Sequence, residues 1–168
     1  MNWEVYKTIK ILRNYFTVDF EVHFHNDLCH AVSSALYALQ AGANWIITSL
    51  LGIGERTSIT PLSSALVNLY ILDSRISKRY NLQYLTSAEN FVSRVCGIEI
   101  PLNLITYRDN GFAHKAGIHL NALLNFGPQK YELVSPEIIG NRRKLVFNSS
   151  ISGRTNKIDV MKFKKKYR

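Results

Sequence analysis

At 168 residues and 46% hydrophobic, the chain has room for one domain, or one and a half small ones. It holds no apolar run of about 18 residues, and Met1-Asn-Trp-Glu-Val5 has no basic stretch leading into an apolar core, so neither a membrane partner nor export is expected. The formal charge of +9 is uneven: residues 1–140 carry 11 basic and 11 acidic side chains, residues 141–168 carry 10 basic and one acidic. A solvated basic tail fits that pattern, and with no stacking-aromatic motif beside it no nucleic-acid partner is expected.

The elements alternate along the chain. Val5, Ile9, Leu12 and Phe16 recur at the spacing of an amphipathic helix. Phe20 to His25 reads as a short strand. Ala31 to Ala41, with Val32, Ala35, Leu36 and Leu39 on one stripe, reads as a helix stopped by Gly42. Trp45 to Leu51 is a near-continuous apolar run, as expected of a parallel strand covered on both faces. Gly52-Ile-Gly54 breaks it, and Pro61 suits the first turn of a helix burying Leu62, Ala65, Leu66 and Leu69. Two βα units of an α/β architecture result. Residues 74–110 read as helix and loop, with turns at Pro101 and Asp109-Asn-Gly111. Phe112 to His119 opens a small helical region, Leu145 to Phe147 reads as a strand, and Asn156 to Arg168 as a basic helix. Cys29 and Cys96 lack paired spacing, which favours reduced thiols and a cytoplasmic location.

The stretch Phe20-Glu-Val-His-Phe-His-Asn-Asp27 carries the chemistry. Side chains two apart in a strand point the same way, so His23 and His25 can reach one divalent metal. A catalytic site of this kind needs at least three protein ligands and an open position. No obvious third ligand lies nearby, as if the chain were the second half of an enzyme. Asn26 and Asp27 suit the strand-to-helix turn, or a second layer of hydrogen bonds to the imidazoles. His30 and His114 are read as structural, and Gly54 as letting its loop turn tightly.

Three motifs in order, His23-x-His25-Asn-Asp, Gly52-x-Gly54-Glu-Arg56 and His114-Lys-Ala-Gly-Ile-His119, resemble the Claisen-condensing acyltransferases of the homocitrate and 2-isopropylmalate synthase group. In that group they correspond to the seventh strand of a TIM barrel, the loop after the eighth, and the following helical subdomain. The resemblance runs from Val5 to about Asn156. It implies an incomplete TIM barrel, residues 1–73 being its last two βα units and 74–168 a helical linker and post-barrel subdomain. It also implies metal-dependent condensation of acetyl-CoA with a 2-oxo acid. Where the isopropylmalate and citramalate branch reads Gly-Glu-Arg-x-Gly-Asn, this chain has Ser58 and Ile59, and isoleucine cannot bind a metal. Ile59-Thr60-Pro61-Leu62 resembles the homocitrate synthase branch, which uses 2-oxoglutarate and is preferred. Ser152-Gly-Arg154 resembles the isopropylmalate branch, which stays as the alternative.

By the same resemblance His23 and His25 are metal ligands, for Mg, Mn or Zn. His119 and Tyr131 are the acid and base candidates, acting in a partner protomer of a homo-oligomer. Glu55 lies on a loop at the barrel face that carries chemistry and positions His119 or the coenzyme. The chain also departs from the family. Cys29 replaces a glycine, Ser34 stands where asparagine is usual, and no Asp-Gly-x-Arg-Asp-Gly segment supplies a carboxylate ligand and an arginine. Two function classes follow: an enzyme part that is inactive unless complemented, and a non-catalytic module that pairs with a full-length homologue.

Overall fold

The computed structural model describes residues 2–146 and Lys165. The basic helix expected over 156–168 (Lys165 excepted), Ser152-Gly-Arg154 and Phe147 lie outside the described residues. The chain divides into two compact units, Met1–Leu82 with Ser87–Ile100, and Gln83–Thr86 with Pro101–Arg168.

The first unit opens with α1 (Asn2–Tyr15), β1 (Glu21–Val22), α2 (Ala31–Ala41) and β2 (Trp45–Ile46). The strands pair in parallel, Glu21 opposite Trp45 and Val22 opposite Ile46, as expected of consecutive βα units. Ile9 of α1 packs with Val22, Ala38, Ala41 and Ala43, and Val5, Tyr6, Phe20, Phe24 and Ile46 close around them. The face of α2 that is fully buried differs from the expected stripe. It is Ala31, Ser34, Ala35, Ala38 and Ala41, while Val32, Leu36 and Leu39 are half-buried. Small side chains let α1 approach α2 closely, which leaves the bulkier residues to the rim of the contact.

Arg13 ties α1 to the end of α2. Its Nε donates to the Gly42 carbonyl at 2.8 Å, another guanidinium nitrogen reaches Asn44 Oδ1, and the group lies over the Phe20 ring at 3.9 Å. Placing a cation on the terminal carbonyls of α2 is favourable because α2 has no basic residue in its own last turn. Asn44 Oδ1 also accepts the Phe20 N–H at 3.0 Å, and this fixes where the strand pair begins.

The strand expected over Trp45–Leu51 is shorter than its apolar run. Pairing stops at Ile46, Trp45 is 50% exposed, residues 47–51 are half-buried, and Leu50–Gly52 forms a 3-10 turn. Further on, single bridges join His25 to Ile59 and Ser49 to Pro61. A ladder continues only where a neighbouring strand offers partners, and β1 itself is two residues long. Pro61 sits just ahead of α3 (Leu62–Leu72), whose buried residues are Ser63, Ala65, Leu66 and Val67. Next come α4 (Ile76–Arg79) and α5 (Leu85–Cys96), which joins this unit from Ser87 onward. No closed barrel forms among the described residues. No described helix is long and apolar enough to cross a membrane.

In the second unit β3 (Ala113–His114) pairs in parallel with β4 (Lys144–Leu145), bracketing α6 (Gly117–Phe126) and two 3-10 turns, Pro128–Lys130 and Pro136–Ile139. Phe112, Leu120, Leu123, Val134 and Ile139 are buried here. The Phe112–His119 segment, read from sequence as the start of a helical region, is therefore strand first and helix only from Gly117. Phe112 and His114 hold the strand because their carbonyls accept the Lys144 and Val146 N–H groups, each at 2.9 Å.

Candidate functional site

In the first unit the two histidines follow β1 and meet as i, i+2 spacing requires. Their ring centroids are 5.0 Å apart at an interplanar angle of 65°. His23 is exposed and His25 half-buried. His25 Nδ1 is sealed from solvent and has no hydrogen-bond partner. An unsatisfied buried polar atom costs about 1–3 kcal/mol, so this nitrogen suits a ligand that takes its lone pair. Two imidazoles with one such nitrogen fit a borderline divalent cation. No group of three or more His, Cys, Asp or Glu able to hold a metal occurs among the described residues.

The histidine loop and the Gly52–Ile59 loop are cross-tied. The Asn26 N–H donates to the Ser58 carbonyl at 3.0 Å and Arg56 pairs with Asp27, while within the second loop the Ile59 N–H donates to the Gly52 carbonyl at 2.9 Å. The Arg56 guanidinium holds the Asp27 carboxyl below its usual range. Asn26 Oδ1 accepts the Ala31 N–H at 3.2 Å, so Asn26 orders the strand-to-helix turn, while Asp27 reaches across to Arg56. Gly54 is needed for a close approach: a Cβ there would meet Ile59 Cγ2 at 2.9 Å. Glu55 is exposed, and no hydrogen bond or ion pair joins it to either histidine among the described residues.

Backbone strain collects in these two loops and in the Leu50–Gly52 turn that leads into the second. Cys29, Leu51, Arg56 and Ser58 adopt φ of 58°, 58°, 57° and 76°, and among the described residues they are the non-glycine positions with positive φ. Such conformations cost on the order of 1–3 kcal/mol each and gather where surrounding contacts over-determine them, often at functional sites. Cys29, singled out because a glycine is usual there, pays the Cβ penalty that glycine avoids.

The second unit holds the other candidates. His119 on α6 stacks on Tyr131, ring centroids 4.1 Å apart and planes 27° apart. His114 lies beside both, 6.2 Å from His119 and 6.3 Å from Tyr131. Tyr131 follows the Pro128–Lys130 turn, its N–H donating to the Pro128 carbonyl at 3.0 Å. Glu132, next in sequence, turns inward. It pairs with His114 Nε2 at 3.1 Å, and accepts from Arg143 Nε on one oxygen and Nη2 on the other, each at 2.6 Å. All three side chains are at least nine-tenths buried. Burial pushes the Glu132 carboxyl up, but the hydrogen bonds and charges of His114 and Arg143 outweigh it, and the net direction is down. Sequence reasoning missed Glu132 and Arg143, whose only signal is the place of Glu132 directly after Tyr131.

Residues 2–92 match the HMGL-like family model, and residues 107–162 match the model described as homocitrate synthase post-HMGL domain-like. The chain belongs to the HMGL-like family. His23, His25 and Glu55 fall in the first match, His119, Tyr131, Glu132 and Arg143 in the second. The mitochondrial homocitrate synthase of Schizosaccharomyces pombe is 42% identical over 151 residues, 89% of this chain and 36% of that protein. The cytosolic homocitrate synthase isozyme of Saccharomyces cerevisiae is 36% identical over the same share of this chain and 35% of its own. The (R)-citramalate synthase of Aquifex aeolicus is 35% identical over 95% of this chain and 30% of its own. The expected membership of this synthase group is borne out. The chain spans about a third of the length of these curated relatives.

Proposed function

We propose that the chain is part of a homocitrate synthase-like acyltransferase that condenses acetyl-CoA with 2-oxoglutarate, in lysine biosynthesis, and that it is inactive alone. The observation that carries this is the sealed, unpartnered Nδ1 of His25 beside His23, half of a metal site at the end of a parallel strand. A divalent cation held there, Mg, Mn or Zn, would polarise the ketone of the 2-oxo acid as a Lewis acid. His119 and Tyr131 are the acid–base pair: one takes a proton from the acetyl methyl group and the other protonates the new alkoxide. Glu55 positions His119 or the coenzyme.

The first unit is, on this proposal, the last two βα units of an incomplete TIM barrel, with the domain boundary near residue 73. It lacks the carboxylate ligand and arginine that other segments of the family provide. A homo-oligomer or a chain supplying the rest of the barrel completes the site, and His119 and Tyr131 act in the partner. Exposed apolar residues on α1 and just after it, Ile11, Tyr15 and Phe16, support such association. Free, exposed Cys29 and Cys96 fit a cytoplasmic location.

The test is acetyl-CoA-dependent thiol release with 2-oxoglutarate or a branched 2-oxo acid, by the chain alone and mixed with a chain supplying the remaining barrel. Turnover is expected only in the mixture and with 2-oxoglutarate, and His23→Ala and His25→Ala abolish it. Calorimetric titration with Zn or Mn should show weak binding that His25→Ala removes. Turnover by the chain alone would overturn the incomplete-barrel reading. No turnover in any mixture would leave the non-catalytic module.

A further inference from the structure

We infer that Glu132 is a positioning residue, holding Tyr131 against His119 through a buried carboxylate clamped between His114 and Arg143. The inference rests on the proposed roles of His119 and Tyr131. Its grounds are geometric. Tyr131 is 40% exposed and directly follows a short 3-10 turn, a poor anchor by itself. The next residue supplies what the turn lacks. Glu132 faces inward and uses both oxygens, one on His114 of β3 and both on Arg143, the residue just before β4. A two-oxygen arginine pair fixes direction as well as distance, because the guanidinium fork and the carboxylate are both planar.

The network thereby pins the turn to the two-stranded sheet, and α6 packs on that turn. His119 and Tyr131 thus belong to one body whose geometry the Glu132 carboxylate sets. A clamp used only for stability would leave the neighbouring pair indifferent to its chemistry. Here the His114 ring lies within 6.3 Å of both His119 and Tyr131, so a shift of the clamp is felt at the pair directly. Displacing an acid–base pair by about 1 Å costs roughly 100-fold in rate.

The experiment uses the full chain labelled for histidine-ring NMR. Tyr131→Leu sets the reference, because it removes the ring current that Tyr131 casts on His119. In Glu132→Gln, which keeps size but not charge, the His119 ring protons should move at least halfway to that reference while amide dispersion elsewhere is kept. His119 resonances unmoved from wild type would overturn the inference. If Glu132→Gln does not fold, Arg143→Lys decides: it keeps the charge and loses the fork. A displaced His119 resonance supports the clamp and an unmoved one overturns it. In the complemented enzyme, Glu132→Gln should lower kcat about 10–100-fold with KM for the 2-oxo acid unchanged. A rise in KM alone counts against positioning. Absence of turnover in the wild-type mixture would sink the proposed function while the NMR result still judges the clamp.

Discussion

His119 and Tyr131 stack nearly parallel, 4.1 Å between ring centroids, although 12 positions separate them and a helix and a turn intervene. Ring pairs of this kind are worth about 0.5–1.5 kcal/mol beyond their buried area. A double-mutant cycle of His119→Ala and Tyr131→Ala, read by urea unfolding, should therefore return a coupling of that size. Strictly additive losses would show that the rings merely lie side by side.

Stability should fall in acid through Glu132. Its folded carboxyl titrates below the usual 4.5 of glutamate, since the hydrogen bonds and charges of His114 and Arg143 outweigh the opposing effect of burial. Near pH 4.5 the unfolded chain binds more protons at this site than the folded one. The contribution is thus fully present above that pH and drains away as pH falls through the lowered folded value. Melting temperatures taken from pH 7 down to about 3 should show this loss, and Glu132→Gln should flatten the corresponding part of the curve. An identical acid limb in the variant would refute the assignment.

Cys29→Gly should stabilise the first unit by about 0.5–1 kcal/mol. The residue holds φ 58°, which costs an L side chain about 1–2 kcal/mol, and glycine returns part of the gain as unfolded-chain entropy. Cys29→Ala keeps the Cβ and should change little. Paired denaturant curves separate the two, and equal midpoints for Gly and Ala would show that the turn is unstrained.

Gly54→Ala should cost about 1–3 kcal/mol, the range for overpacking. The added methyl would meet Ile59 Cγ2 at 2.9 Å, and Ile59 is buried, β-branched and slow to give way. In an Ile59→Ala background, itself less stable, the added cost of Gly54→Ala should largely disappear. A neutral Gly54→Ala would mean that the loop relaxes freely.

Much of the first unit was legible in the sequence. The parallel pairing of β1 with β2 follows from apolar runs joined by a helix, and α2 ends at Gly42, whose N–H caps the Leu39 carbonyl. His23 and His25 do come together, but the strand expected over Phe20–His25 is paired only at Glu21–Val22, so both rings lie beyond it and a single bridge from His25 to Ile59 continues the extended chain. Strand length was not legible, because the Trp45–Leu51 run records which residues avoid water and says nothing of what pairs with them. The buried face of α2 was misjudged for a related reason: a hydropathy stripe favours leucine, while close helix packing favours alanine. Apart from the place of Glu132 directly after Tyr131, nothing in the sequence marked Glu132 and Arg143. They meet across irregular chain, 11 positions apart, where no period relates one side chain to another.

Residues 83–86 belong with the second unit although the first continues on either side of them, so the covalent path passes between the two units three times. Gly140 shows how intimate that borrowed stretch is. Its backbone lies so near Gln83 that a Cβ would stand 2.0 Å from the Gln83 carbonyl oxygen. No single scission can therefore leave both units whole. A break after Ile100 frees the second unit without the segment that lies against Gly140, and a break after Leu82 strips Ser87–Ile100 from the first. Limited proteolysis should accordingly yield pieces that stay associated until denatured, and anyone dividing this chain for expression must carry residues 83–86 on both sides of the cut.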